Sequence, residues 1–178
     1  MEKFWEKERR ANGVRKKDLS GLDYISIPDE CTDLESYPTL LSLTDNNFSC
    51  KRAYETICNL KEKKIVNLTG ISNTDLKLNY GVANLPVLTE YDDNFTELVR
   101  SLQTLGHCLL EANDTQTAQI FLEFAVSIGS DIKQTYSDLA LIFSKHGEKN
   151  KLDKLITYAS TLNSINKDLI IQDLKQLQ

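Results

Sequence analysis

VRSLQTLGHCLLEANDTQTAQIFLEFAVSIGSDI at positions 99–132, followed without interruption by KQTYSDLALIFSKHGEKNKLDKLITYASTLNSIN at positions 133–166, decides the fold. The two windows have equal length, and side-chain size recurs in step between them. Leu102 falls over Tyr136, Leu105 over Leu139 and Gly106 over Ala140. Leu109 falls over Phe143, Ala118 over Leu152, Leu122 over Ile156 and Ala125 over Ala159. Within each window apolar residues return every three or four positions, the period of an amphipathic helix. Asn113-Asp114-Thr115, Gly129-Ser130-Asp131, Gly147 and the run from Asn163 to Asn166 interrupt that period with breaker and capping residues. Helices are therefore expected at about 94–112, 116–129, 133–146 and 150–163.

Small residues are required where two helices cross closely. Gly106 and Ala140 on the first helix of each pair, and Ala125 and Ala159 on the second, permit that approach while larger neighbours fill the space between. A single hairpin cannot bury its own apolar face, so hairpins stack and the last one needs a cover. Leu169, Ile170, Ile171, Leu174 and Leu177 make an amphipathic helix at about 167–177 that suits a capping role, with polar Asp173, Lys175, Gln176 and Gln178 around it.

Equal windows of 34 residues, with recurring residues at the sites named above, resemble the tetratricopeptide repeat (TPR), whose pattern there is aromatic, Leu-Gly, Tyr, Ala, Phe, Ala. Leu102 stands where the family has an aromatic residue, Leu152 where it has a small one, and Ser130 and Ser164 where it has Pro. The resemblance implies an all-α, TPR-like α-α superhelix of two hairpins plus a C-terminal capping helix. It also implies a non-enzymatic, protein- or peptide-binding adaptor or scaffold. In the family, five positions of the first helix line the concave groove. Carried over, they are Arg100, Gln103, His107, Leu110 and Glu111, then Gln134, Ser137, Leu141, Ser144 and Lys145. Arg100 and Lys145 would hold a carboxylate, and Gln103 and Gln134 would bond peptide backbone. The rival reading makes the same residues a solvated helix face, or has the front half fill the groove.

Upstream, the pattern is irregular, and the expected division is a charged leader and linker at 1–33 and one helical domain at 34–178. In the latter, 34–92 is an irregular helical front, 93–166 the two repeats and 167–178 the cap. A short helix is expected over 34–43 with Pro38 in its first turn. A stronger one is expected from Ser49, as N-cap, to Val66. A third should run from Thr74 to Tyr80 and end at Gly81, and a brief one from Val87 to Tyr91. Asp75 and the Asp92-Asp93 pair read as charges at helix N-termini. The block from Asn73 to Gly81, followed by two repeats, resembles a group of uncharacterised bacterial TPR-like proteins. In some of these a hydrophobic anchor precedes a charged, Trp-containing leader, which implies membrane attachment of a longer natural chain.

Charge is uneven. Positions 1–17 hold seven Lys/Arg against three acids, a net of +4, so the remainder carries −9 of the overall −5. An acidic body excludes nucleic acid as the main partner, because phosphate backbones need a basic face. Phe4 and Trp5 beside Arg9 and Arg10 could instead meet an anionic membrane surface, and a membrane-tethered structural component is the alternative to the adaptor. The bland alternative is a partly disordered, solvated leader.

Four cysteines, none in a C-x-x-C pair, and two histidines argue against structural zinc and for free thiols in a reducing compartment. No apolar run is long enough to cross a bilayer, so a cytoplasmic chain is expected, membrane-associated only through an upstream anchor. No phosphate-binding glycine loop or zinc-protease motif occurs, and no metal or cofactor is expected. His107 and Cys108, adjacent on a helix, point in different directions and form no nucleophile–base pair. His146 reads as a helix C-terminal group. A catalytic site in the loop at 69–91 is the remaining, third alternative.

Overall fold

A computed structural model describes residues 2–177, and among these the chain is all-helical. The helices are α1 (Glu2–Asn12), α2 (Pro38–Asn46), α3 (Phe48–Leu60), α4 (Asn73–Tyr80), α5 (Leu85–Glu111), α6 (Thr115–Ser127), α7 (Lys133–Lys145), α8 (Lys149–Ala159) and α9 (Lys167–Gln176). Short 3-10 turns occupy Asp29–Cys31, Leu34–Ser36 and Val82–Asn84. Extended backbone pairs only at Tyr24 and Val66 among the described residues, supported by Ile25 N–H donating to the Ile65 carbonyl at 2.9 Å.

Each expected helix of the repeat region is present, and the packing follows the chain. α5 pairs with α6, α6 meets α7, α7 pairs with α8, and α8 meets α9. In addition α5 touches α7 and α7 touches α9, so these three lie side by side in one layer. The small-residue positions sit where helices cross. A Cβ added to Gly106 would lie 2.5 Å from Leu122 Cδ2 on α6. Ala125, Ala140 and Ala159 are fully buried, as are Leu102, Leu105, Leu109 and Leu122. Ile170 and Leu174 of α9 join the same core and close its far end.

Hairpin corners are closed by local bonding. Gly129, at φ 84, ends α6 in the left-handed region that a side chain would strain, and lets Ser130 N–H reach the Ala125 carbonyl. Ser130 and Ser164 brace their turns through hydroxyls. Ser130 Oγ accepts from Ile132 N–H at 3.3 Å and Ser164 Oγ from Asn166 N–H at 3.1 Å. The buried Tyr136 hydroxyl donates to the Ser130 carbonyl at 2.8 Å, and burial raises its pKa.

The front half departs from the expectation in five places, the first being that the helix expected over 34–43 runs from Pro38 to Asn46 after a separate 3-10 turn at Leu34–Ser36. Asn47, rather than Ser49, caps α3, its Oδ1 accepting from Ser49 and Cys50 N–H. α3 stops at Leu60, because Ile65 and Val66 extend to pair with Tyr24 and Ile25. The brief helix at 87–91 is the beginning of the 27-residue α5. Asp92 is therefore interior to a helix, not at its start; its Oδ1 accepts from Leu68 N–H at 3.0 Å, and burial raises its pKa. α4 matches, with Ser72 as cap, Asp75 in its first turn and Gly81 beyond its end.

α2 and α3, joined at Asn47, pack on each other and both against α5. α3 runs antiparallel to α5, since Cys50 meets Cys108 while Asn94 Nδ2 donates to the Lys64 carbonyl at 3.0 Å. A second small cluster, Val66, Leu68, Leu76 and Leu88, packs with Tyr24, Tyr80 and Tyr91 under the linker. The leader does not hang free. α1 lies on α4 through Lys7–Asp75 at 2.6 Å and through Glu8, which takes both Lys77 and the Thr74 hydroxyl. The strap that follows α1 crosses Gly81 closely: a Cβ there would lie 2.2 Å from the Arg15 carbonyl oxygen.

Candidate functional site on α5 and α7

The groove positions carried over from the family lie on two neighbouring helices. Along α5, Arg100 and Glu111 are exposed, while Gln103, His107 and Leu110 are half-buried. Along α7, Gln134, Leu141, Ser144 and Lys145 are exposed, and Ser137 is half-buried with its hydroxyl turned back to the Lys133 carbonyl. Leu141, 44% accessible, is the one large apolar side chain in this row that faces solvent.

Two of these residues are organised by one that the sequence reading overlooked. Asp138 is buried, and its two oxygens are both used. His107 Nδ1 lies 3.0 Å from Oδ2, and Gln134 Nε2 donates to Oδ1 at 2.7 Å. A carboxylate only accepts, so the ring proton belongs on Nδ1. Nε2 then faces Glu111, 3.8 Å away. The α5–α7 seam is thus tied by a polar clamp whose outer atoms stay accessible, with His107 43% exposed at its side chain. Glu111 and Asp138 address opposite ring nitrogens and cannot share an ion with the imidazole. Among the described residues no three His, Cys, Asp or Glu side chains gather as metal ligands. A signal for Asp138 existed: it is an acid four residues after Gln134 on the first helix of a hairpin, between the apolar Tyr136 and Leu139. Its partner His107 is 31 residues away, and no local pattern connects them.

Residues 34–66 approach the end of this row, where Cys50, its thiol pKa raised chiefly by burial, lies close enough to Glu111 for that carboxylate to help raise it. They pack on α5 where it carries Asn94 and Cys108. Lys133 joins α7 to α9 by an ion pair with Asp173 at 2.7 Å, extending the polar margin.

Elsewhere, Phe4 and Trp5 are 58% and 61% exposed and stack edge to face at 5.6 Å, with Arg9 and Arg10 exposed in the last turn of α1. The four cysteines are free, with Cys31 and Cys50 buried and the burial pushing each thiol up to about 12. His146 occupies the C-terminal cap position of α7. A cleft of about 580 Å³ lies between the extended segment at 23–26 and the C-terminal ends of α6 and α8. Its amides are spent internally, Asn67 on the Ile128 carbonyl and Asn163 on that of Thr69. No helix among the described residues is long and apolar enough to cross a membrane.

No family model, no curated protein and no solved structure matches the chain.

Proposed function

We propose that the protein is a non-enzymatic interaction module of the TPR-like kind, which captures an extended peptide or protein segment on the exposed row of α5 and α7. The observation that carries this reading is the His107–Asp138–Gln134 clamp. It fixes the half-buried His107 and the exposed Gln134 in register across neighbouring helices, next to an exposed Leu141 and between Arg100 and Lys145. Preorganised hydrogen-bonding groups beside one apolar contact suit a peptide, whose backbone needs partners and whose side chains need a small apolar patch. The two cations suit an acidic residue or a C-terminal carboxylate.

The test is site-specific photo-crosslinking in the native host, with the probe at position 141 or, as control, at 154 on α8. A partner should crosslink from 141 and not from 154, and the Arg100→Glu, Leu141→Glu double variant should lose it while keeping its helical content. Full retention of every partner by that variant removes the groove from consideration.

The exposed Phe4–Trp5 pair beside Arg9 and Arg10 favours a second reading, in which α1 rests at an anionic bilayer surface. Flotation with acidic vesicles that is unchanged by Phe4→Ala with Trp5→Ala counts against it.

A further inference from the structure

The clamp on the α5–α7 row turns its donors inward, and this decides what it leaves for a partner. Asp138 is buried, and each of its two oxygens takes one N–H: His107 Nδ1 at 3.0 Å on Oδ2, Gln134 Nε2 at 2.7 Å on Oδ1. A carboxylate only accepts, and a neutral imidazole carries one ring proton. With that proton held on Nδ1, the outward group of His107 is the bare lone pair of Nε2. The ring is 43% exposed at its side chain, so solvent and ligands have access to it. Gln134, also exposed, keeps its Oε1 as a second free acceptor on the other helix.

Glu111 supplies the second observation. It stands one turn beyond His107 on α5, its side chain 71% exposed, with Oε1 3.8 Å from His107 Nε2. That separation is longer than a hydrogen bond. Two acceptors thus face one another with no proton between them. Among the described residues no hydrogen bond reaches either atom, and no Lys or Arg pairs with Glu111. Lone pairs this far apart suit one group with several N–H donors, seated about 2.9 Å from each. The carboxylate favours a cation over a neutral amide, because the bond to it is then charge-assisted on both sides.

We infer that the row selects segments carrying an arginine or lysine, whose N–H groups bridge His107 Nε2 and the Glu111 carboxylate. The inference rests on reading the row as a peptide site and names the side chain that it reads. Arg100, seven positions before His107, lies roughly 10 Å away along α5. A base at Glu111 and an acid at Arg100 are therefore read at separate points, and the segment recognised is one of mixed charge.

Random peptides displayed on phage, panned at pH 8 on the full chain with the Leu141→Glu chain as counter-target, give the probes. Peptides that need Leu141 should share an Arg or Lys at one position. Resynthesised and measured by fluorescence anisotropy, they should bind roughly tenfold more weakly when that residue becomes Ala, the usual loss for one charge-assisted bond. Glu111→Gln should cost about the same, and the two changes together little more than either alone, since they remove one contact. Glu111→Lys should reject these peptides and prefer copies with Glu at the shared position. Glu111 lies outside the clamp, so both variants should keep the wild-type circular dichroism; the change made in the peptide alone tests the contact without touching the fold. Leu141-dependent peptides that share no base, or that bind Glu111→Gln as tightly as the wild type, overturn this inference and leave the row standing. If every peptide binds Leu141→Glu as tightly as the wild type, the row itself falls, and the inference falls with it.

Discussion

Replacing Gly106 with Ala tests the α5–α6 crossing directly. The added methyl would sit 2.5 Å from Leu122 Cδ2 and 2.6 Å from Leu122 Cγ. The overlap reaches the branch carbon, so rotating the terminal methyls does not relieve it, and Leu122 is wholly enclosed by core. Overpacking of this kind costs about 1–3 kcal/mol. Ala also gains about 1 kcal/mol over Gly in a helix interior. The net expectation for Gly106→Ala is a loss of roughly 1 kcal/mol, the midpoint of the first range less the second. Leu122→Ala alone should cost about 2–5 kcal/mol through the cavity it leaves. In that background the steric clash is gone, and Gly106→Ala should stabilise by about 1 kcal/mol. The two substitutions therefore couple by about 2 kcal/mol, well above the ~0.5 kcal/mol scatter of independent sites. Urea unfolding of the four proteins, followed by circular dichroism, measures the cycle. If Gly106→Ala shifts stability by the same amount with and without Leu122, the helices do not cross at Gly106, and the hairpin argument fails with them.

Acid should release α1 before the core unfolds. Hydrogen bonds from Lys77 and Thr74 lower the pKa of Glu8, and those from Lys7 and Ser72 lower that of Asp75. Groups lowered on folding contribute fully above the ordinary carboxylate range and lose that contribution as pH falls through their folded values. Hydrogen exchange between pH 6 and about 3 should therefore show α1 amides opening first, while those of α5 stay protected; simultaneous opening would refute the docking. The thiols should divide in rate. Cys31 and Cys50, buried and pushed up to about 12, should resist iodoacetamide at pH 8 while the more accessible Cys58 and Cys108 react; equal rates would contradict the burial.

The second half of the molecule was legible because its information is local. Apolar period, glycine and asparagine at the ends, and small residues at fixed steps are properties of contiguous residues, and the helices from α6 to α9 follow them. The front half hid its structure in distant partners. Asp92 and Asp93 look like a helix start until Leu68 N–H is seen to satisfy Asp92 inside a continuous α5. Ile65 and Val66 continue the helical pattern of α3, yet the chance to pair with Tyr24 and Ile25 draws them into extended backbone. The leader reads as solvated because its docking groups are charged, and their opposite charges lie on α4, more than sixty residues downstream.

The candidate site divides along the same line. Arg100, Gln134, Leu141 and Lys145 could be named from their place in a repeat, since a helix assigns each residue a face. That Asp138 would be buried and joined to His107 depends on how separate segments are brought together. Periodicity and capping determined which residues form helices and which faces are apolar. Tertiary packing alone decided which polar groups lost water together, because the cost of an unmade hydrogen bond appears only once the neighbours that exclude water are in place.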